Sequence, residues 1–166
     1  AFSGLLKCMP SFVEFRFIQV LILKLLPDPD NRSDNFTGSD DLSGNITEPD
    51  DLSCNLSEIS ELFRLRYFHL DACHMSVEHP TQMKQLKDLV AWEIDADVTA
   101  VPSDIVDVPG LFFLSIPSVA QLPADIGRMT SLRTLGVIDL SKNSTENIMC
   151  LGELINLQDL HLTCST

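Results

Sequence analysis

Positive charge is what this sequence has least of. Lys and Arg number 11 against 24 Asp and Glu, for a formal net charge of −13. Nucleic acids and anionic membranes are bound through basic surface, so neither is an expected partner. Aromatic anchors are few, with one Trp and one Tyr among 166 residues. No apolar run approaches the roughly 20 residues of a membrane span. The most apolar stretch, Phe17 to Leu23, is bracketed by Arg16 and Lys24. There is no CxxC pair. Cys8, Cys54, Cys73, Cys150 and Cys164 are widely spaced and odd in number, which reads as reduced, intracellular thiols rather than a disulfide scaffold. No GxSxG, no HExxH and no G-x-x-x-x-G-K-[ST] phosphate loop occurs, so neither a catalytic residue nor a cofactor site is expected. The chain opens at Ala1 without a signal-peptide layout and stops directly after a strand-like run. Both ends therefore read as cut from a longer protein.

What is abundant is leucine, 25 of 166 residues, and it recurs with a period. Leu62, Leu65, Phe68 and Leu70 read LxxLxxFxL. The same pattern returns in Leu86, Leu89, Trp92, Ile94; in Val108, Leu111, Leu114, Ile116; in Met129, Leu132, Leu135, Val137; and in Leu154, Leu157, Leu160, Leu162. The second anchors, Leu65, Leu89, Leu111, Leu132 and Leu157, are 24, 22, 21 and 25 residues apart. These steps fall in the range of leucine-rich repeats, about 20–29 residues. A second element follows in phase: Val101-Pro-Ser-Asp-Ile105, Leu122-Pro-Ala-Asp-Ile126 and, with His in the apolar place, His79-Pro-Thr-Gln-Met83. The LxL half predicts a short strand whose alternating residues point into the coil. The Pro half predicts the corner to the other side, where a fixed φ suits and no ladder N–H is needed. The expected fold is α/β: a leucine-rich-repeat solenoid with a curved parallel sheet on its concave face and turns or short helices on its convex face.

Three regions follow from this. Residues 1–26 hold a partial repeat ending in Ile18, Leu21 and Leu23. Residues 27–58 form an acidic Asp/Asn/Ser-rich insertion, and 59–166 carry about five repeats. From Leu21 to the equivalent Phe68 is 47 residues, which fits either two periods or one period with an insertion. Inside the insertion Ser39–Glu48 and Pro49–Glu58 match at six of ten positions, a local duplication. Such composition reads as a solvated loop, with Leu42, Ile46, Leu52 and Leu56 as its means of attachment. Its DDLS repeats lack the spacing of a calcium loop. The 132–150 repeat fits two frames: Leu135 and Val137, or Leu135, Ile138 and Leu140 followed by Ser141-Lys-Asn143. A bulge would reconcile them.

Leu62-Phe-Arg-Leu-Arg-Tyr67, the Val-Pro-Ser-Asp-Ile run and Gly127-Arg-Met-Thr-Ser-Leu-Arg-Thr-Leu135 resemble the leucine-rich-repeat region of plant nucleotide-binding immune receptors. The closest likeness is to the coiled-coil type disease-resistance proteins of grasses. The resemblance implies a cytoplasmic, non-enzymatic module that senses a pathogen effector or a guarded host protein. It also implies a partner within the same polypeptide, the nucleotide-binding switch domain.

Strand alternation lists the side chains that face out of the sheet: Arg66, Tyr67, His69 and Asp71; Val90, Glu93 and Asp95; Phe112 and Ser115; Arg133 and Gly136; Gln158, His161 and Thr163. His69, Glu93, Ser115, Gly136 and His161 should form a ladder across the repeats. The expected protein-binding set is Arg66, His69, Asp71, Glu93, Asp95, Phe112, Ser115, Arg133 and His161, with a basic partner patch on the acidic 69–95 end. For Phe112 and Phe113, lateral packing of at least one competes with an exposed hot spot. Trp92 stands at a core anchor. His69, Asp71, Cys73, His74 and His79 cluster in sequence, but their spacing matches no structural zinc pattern. Two other functions fit the repeat: an intracellular signalling scaffold, and an extracellular receptor ectodomain. The second alone would give meaning to the sequons at Asn31, Asn35, Asn45, Asn55 and Asn143.

Overall fold

Each repeat begins with apolar residues at every third position, and this period selects the 3-10 turn. Three residues complete such a turn, so positions i, i+3 and i+6 share one face. The amide of Ile59 donates to the carbonyl of Leu56, Leu62 to Ile59, and Leu65 to Leu62, at 3.0, 2.9 and 2.8 Å. All four side chains are fully buried. Met83, Leu86 and Leu89 repeat the pattern, as do Ile126, Met129 and Leu132. After the third anchor the chain extends and the apolar period drops to two, which places alternate residues on the inner face of a strand.

The computed structural model describes residues 12–25, 53–78, 80 and 82–166, with the side chains of all of these except 12, 13, 53–55, 73 and 74. Its strands are β1 (Val20–Lys24), β2 (Ser53–Asn55), β3 (Tyr67–Glu78), β4 (Ala91–Asp97), β5 (Phe113–Ser115), β6 (Thr134–Asp139) and β7 (Asp159–Thr163). They form one parallel sheet in the order β1-β3-β4-β5-β6-β7. Short 3-10 turns at Ser57–Glu61, Met83–Gln85, Ser103–Asp107, Ile126–Arg128 and Leu151–Glu153 make the opposite layer. The one α-helix of the described residues, α1 (Thr145–Cys150), starts where the Ser144 hydroxyl accepts the Asn147 amide at 3.2 Å. The convex side is thus built mainly from 3-10 turns, and the solenoid expected from the repeats is the fold observed.

The strand anchors stack in register. Leu21, Phe68, Trp92, Leu114, Leu135 and Leu160 are successive Cα partners across the sheet. Phe68 and Trp92 stack with ring centroids 4.3 Å apart and planes 26° from parallel. Such a pair adds about 0.5–1.5 kcal/mol beyond its buried area. Trp92 is fully enclosed, and its indole N–H has no hydrogen-bond partner.

The pairing of β1 with β3 resolves the 47-residue step. Leu21 lies beside Phe68, so the two strands belong to neighbouring coils. The step is one period with an insertion. β2 pairs with Ser76–Glu78, the far end of the same β3 edge that β1 uses. The chain therefore departs after β1 and rejoins the same coil at β2. Within the stretch read from sequence as insertion, Ser53–Asn55 is a strand and Leu56 is core. Leu42, Ile46, Leu52 and both copies of the duplication except residues 53–58 lie outside the described residues.

Two anchors depart from expectation. The register shifts between Leu135 and Val137, which is the bulge that serves both frames. Val137 turns outward, and Ile138 fills the core in its place. Leu162 was expected to be an anchor, yet it is 48% exposed. It lies on β7, an outer strand of the sheet, where a neighbour covers one side only. Leu157 and Leu160 are half-buried for the same reason.

Polar links replace apolar ones beyond β6. The Asn143 side chain accepts the Leu122 amide at 2.8 Å and donates to the Asp139 carbonyl at 2.9 Å. The Asn147 side chain donates to the Leu122 carbonyl at 2.9 Å. Both hydrogen-bonding ends of Asn143 are thus used by the fold, although it heads a sequon.

Candidate protein-recognition face

The side chains that alternate with the anchors leave the core and make the outer face of the sheet. The middle row is His69, Glu93 and Ser115, in register on β3, β4 and β5. Gly136 continues it, because a Cβ there would stand 3.0 Å from Ser115 Oγ and 3.1 Å from Ser115 Cα. His161 does not continue it. The bulge pairs His161 with Val137, one residue out of step with the expected ladder. The row before it is Tyr67, Ala91, Phe113, Thr134 and Asp159. Phe113, Thr134 and Asp159 were missed from sequence. Counting outward from the inward anchor Leu114 in steps of one would have found Phe113.

The acidic end is partly compensated from within. The Tyr67 hydroxyl donates to Glu93 Oε2 at 3.0 Å. That bond, then burial and the glutamate's charge, raise the Tyr67 phenol above its ordinary value. His69 Nδ1 lies 3.0 Å from the same oxygen, but not in a direction that makes a hydrogen bond, and this buried nitrogen has no other partner. Lys24 Nζ reaches Asp71 at 4.0 Å. Asp95 is exposed on the same strand as Glu93. Among the described residues no group of His, Cys, Asp and Glu is arranged to hold a metal ion. Cys73, His74 and His79 lie outside the described side chains.

At the start of each strand runs another row: Gln19, Arg66, Val90, Phe112, Arg133 and Gln158, all exposed. Its backbone repeats one motif. The Gln19 carbonyl accepts the amides of both Arg66 and Tyr67, the Arg66 carbonyl those of Val90 and Ala91, and so on to Gln158 and Asp159. Phe112 is 40% exposed, while Phe113 is half-buried among its strand neighbours. The Arg133 guanidinium lies over the Phe112 ring, 4.5 Å from its centroid. Beside Arg66 is a shallow cleft of about 380 Å³ lined by Gln19, Arg64, Arg66, Asp88 and Val90. Among the described residues no helix is long and apolar enough to cross a membrane.

A family model described as a leucine-rich repeat region matches residues 1–166. A curated relative, "Disease resistance protein RGA5" of Oryza sativa subsp. japonica, is 42% identical over 165 residues. The match covers 99% of this chain and 13% of that protein. Among solved structures, a leucine-rich-repeat protein of Leptospira interrogans is similar at 26% identity and a TM-score of 0.47, over 65% of this chain and 28% of that one. An internalin of Listeria monocytogenes is similar at 16% identity and a TM-score of 0.45, over 68% and 43%. Repeat period, parallel sheet and family match agree: the chain belongs to the leucine-rich-repeat family.

Proposed function

We propose that this chain is the recognition and autoregulatory leucine-rich-repeat segment of an intracellular plant immune receptor, acting in the defence response. The observation that carries the reading is the 42% identity to a rice disease resistance protein over nearly the whole chain. The outer face of the sheet suits the role. Its side chains are spaced by the backbone ladder and do not hold the core, so they can vary without unfolding the scaffold. A pathogen effector or a guarded host protein docks there, on a surface that includes Arg66, His69, Asp71, Glu93, Asp95, Phe112, Ser115, Arg133 and His161. The second partner is the nucleotide-binding domain of the same polypeptide. The protein works in the cytoplasm, and the segment itself performs no catalysis.

Sequencing the open reading frame that contains this chain tests the reading. The expected result is a P-loop nucleotide-binding domain upstream of the repeats. A secretory signal peptide in that place would overturn it and favour the receptor ectodomain.

A further inference from the structure

We infer that the row at the strand starts is a docking site for an acidic peptide segment of a partner protein, with two carboxylates flanking apolar side chains. The inference rests on the recognition role proposed above and names the chemistry of the partner.

The charge distribution points to this class. The row itself carries two bases and no acid, in a chain with 11 bases and 24 acids. Arg64 lies 3.5 Å from Asp88, and Arg128 lies 3.0 Å from Asp107. Arg66 and Arg133, like Arg16, Lys84, Lys87 and Lys142, have no acidic partner among the described residues, and both are exposed. They sit at two ends of one hydrogen-bonded row, with Val90 and Phe112 between them. Both of these apolar side chains are exposed. The order across the sheet is therefore cation, apolar, apolar, cation.

Geometry sets the spacing of the partner. Strands lie about 4.8 Å apart, so Arg66 and Arg133, three steps apart, are about 14 Å from each other. An extended peptide rises about 3.4 Å per residue, and carboxylates four residues apart match that span. Arg133 is already held flat on Phe112. Its ring-facing side is used, and its edge N–H groups stay free for a bidentate carboxylate contact. Arg66 borders the cleft in which Arg64 is tied to Asp88, and among the described residues it is the cation lining that cleft without an acidic partner. The acids Asp71, Asp95 and Asp97 stand at the other end of the strands, away from this row.

Fluorescence anisotropy with the whole chain tests the inference. The probe is a fluorescein-labelled peptide, Gly-Glu-Leu-Phe-Ser-Glu-Gly. The control is the same peptide with Lys in both Glu positions. The Glu peptide should bind at least tenfold more tightly than the Lys peptide and weaken as NaCl is raised. Arg66→Gln and Arg133→Gln should each weaken it several-fold, and the double variant more. Phe112→Ala should also weaken it, whereas Arg128→Gln, off the row, should not. Trp92 emission, unchanged in the variants, checks that the fold is kept. Absent binding of the Glu peptide, equal binding of the Lys peptide, or insensitivity to both arginine changes would each overturn the assignment. Those failures would leave the immune-receptor reading untouched, since the upstream reading frame decides that separately.

Discussion

Adding one methyl group at two glycines of this chain should move stability in opposite directions. Gly127 lies in the 3-10 turn Ile126–Arg128 and is buried against the next coil. Its φ is not positive, so the backbone itself accepts alanine. Space does not. A Cβ would stand 2.9 Å from the Cys150 carbonyl oxygen, 2.9 Å from Glu153 Cβ and 2.5 Å from Glu153 Oε2. The glutamate tip can swing away, but the carbonyl and the Cβ move only with their turn. Relief requires a shift of about 0.5 Å between coils, and overpacking of this kind costs about 1–3 kcal/mol. Gly152, one coil later, has no atom within 4 Å of its would-be Cβ. Alanine there should stabilise by about 0.4–1 kcal/mol, by narrowing the unfolded ensemble. Because a solenoid couples nearest neighbours, the Gly127→Ala loss should fall on the last coil. Hydrogen exchange read by mass spectrometry is the assay. Gly127→Ala should cut protection of amides in β7 about tenfold, and leave β4 unchanged; Gly152→Ala should keep or raise it. Equal effects of the two variants, or full protection in Gly127→Ala, would refute the claim that coil spacing is set by this contact.

Asp139 should make the last coil acid-sensitive. Its carboxylate accepts from the hydroxyls of Ser165 and Ser141 and from both their amides. These bonds, Ser165 first, outweigh burial and hold it well below the usual carboxylate range. A depressed folded pKa gives stability that is present above the unfolded value of about 3.9 and lost as pH falls below it. Exchange protection around β7 should therefore fall as pH drops below about 4, and Asp139→Asn should be weaker at pH 7 with little further loss in acid. The single tyrosine offers a direct titration: Tyr67 should ionise above pH 10, and Glu93→Gln should return it towards its ordinary value of about 10. Val20 and Ile22 on β1 and Ile155 and Leu162 beside or on β7 are exposed apolar groups at the two outer strands. Such edges pair with other chains, so sedimentation should show association that grows with concentration; a single monomer species at high concentration would contradict this.

The core is largely legible in the sequence. A leucine every third residue is sheltered on one face of a 3-10 turn, and alternating apolar residues on one face of a strand. Thus Leu65, Phe68 and Leu70, and likewise Leu89, Trp92 and Ile94, were readable as anchors, and all six are buried. Side chains bordering the core were harder. Phe112 and Phe113 are identical neighbours in sequence. Which of them stands at the strand start beside Arg133 depends on the register set by Leu114. The bulge in β6 was equally open, because two apolar frames overlapped there and only the fit against β7 chose Ile138 over Val137.

The sequence by itself determined the unit: its length, its inward residues and its parallel stacking, since these follow from local periods and from the need to hide leucine. Tertiary structure alone decided what lies next to what. A 47-residue step reads as one coil or two until Leu21 is found beside Phe68, because loop-closure entropy changes only slowly with length and leaves little local trace. The same holds for charge. Composition says acidic, yet pairing across coils occupies Arg64 and Arg128 with acids and leaves Arg66 and Arg133 without acidic partners among the described residues. The pairs Arg64–Asp88 and Arg128–Asp107 link residues 24 and 21 positions apart in the chain, distances at which only the folded solenoid brings them together.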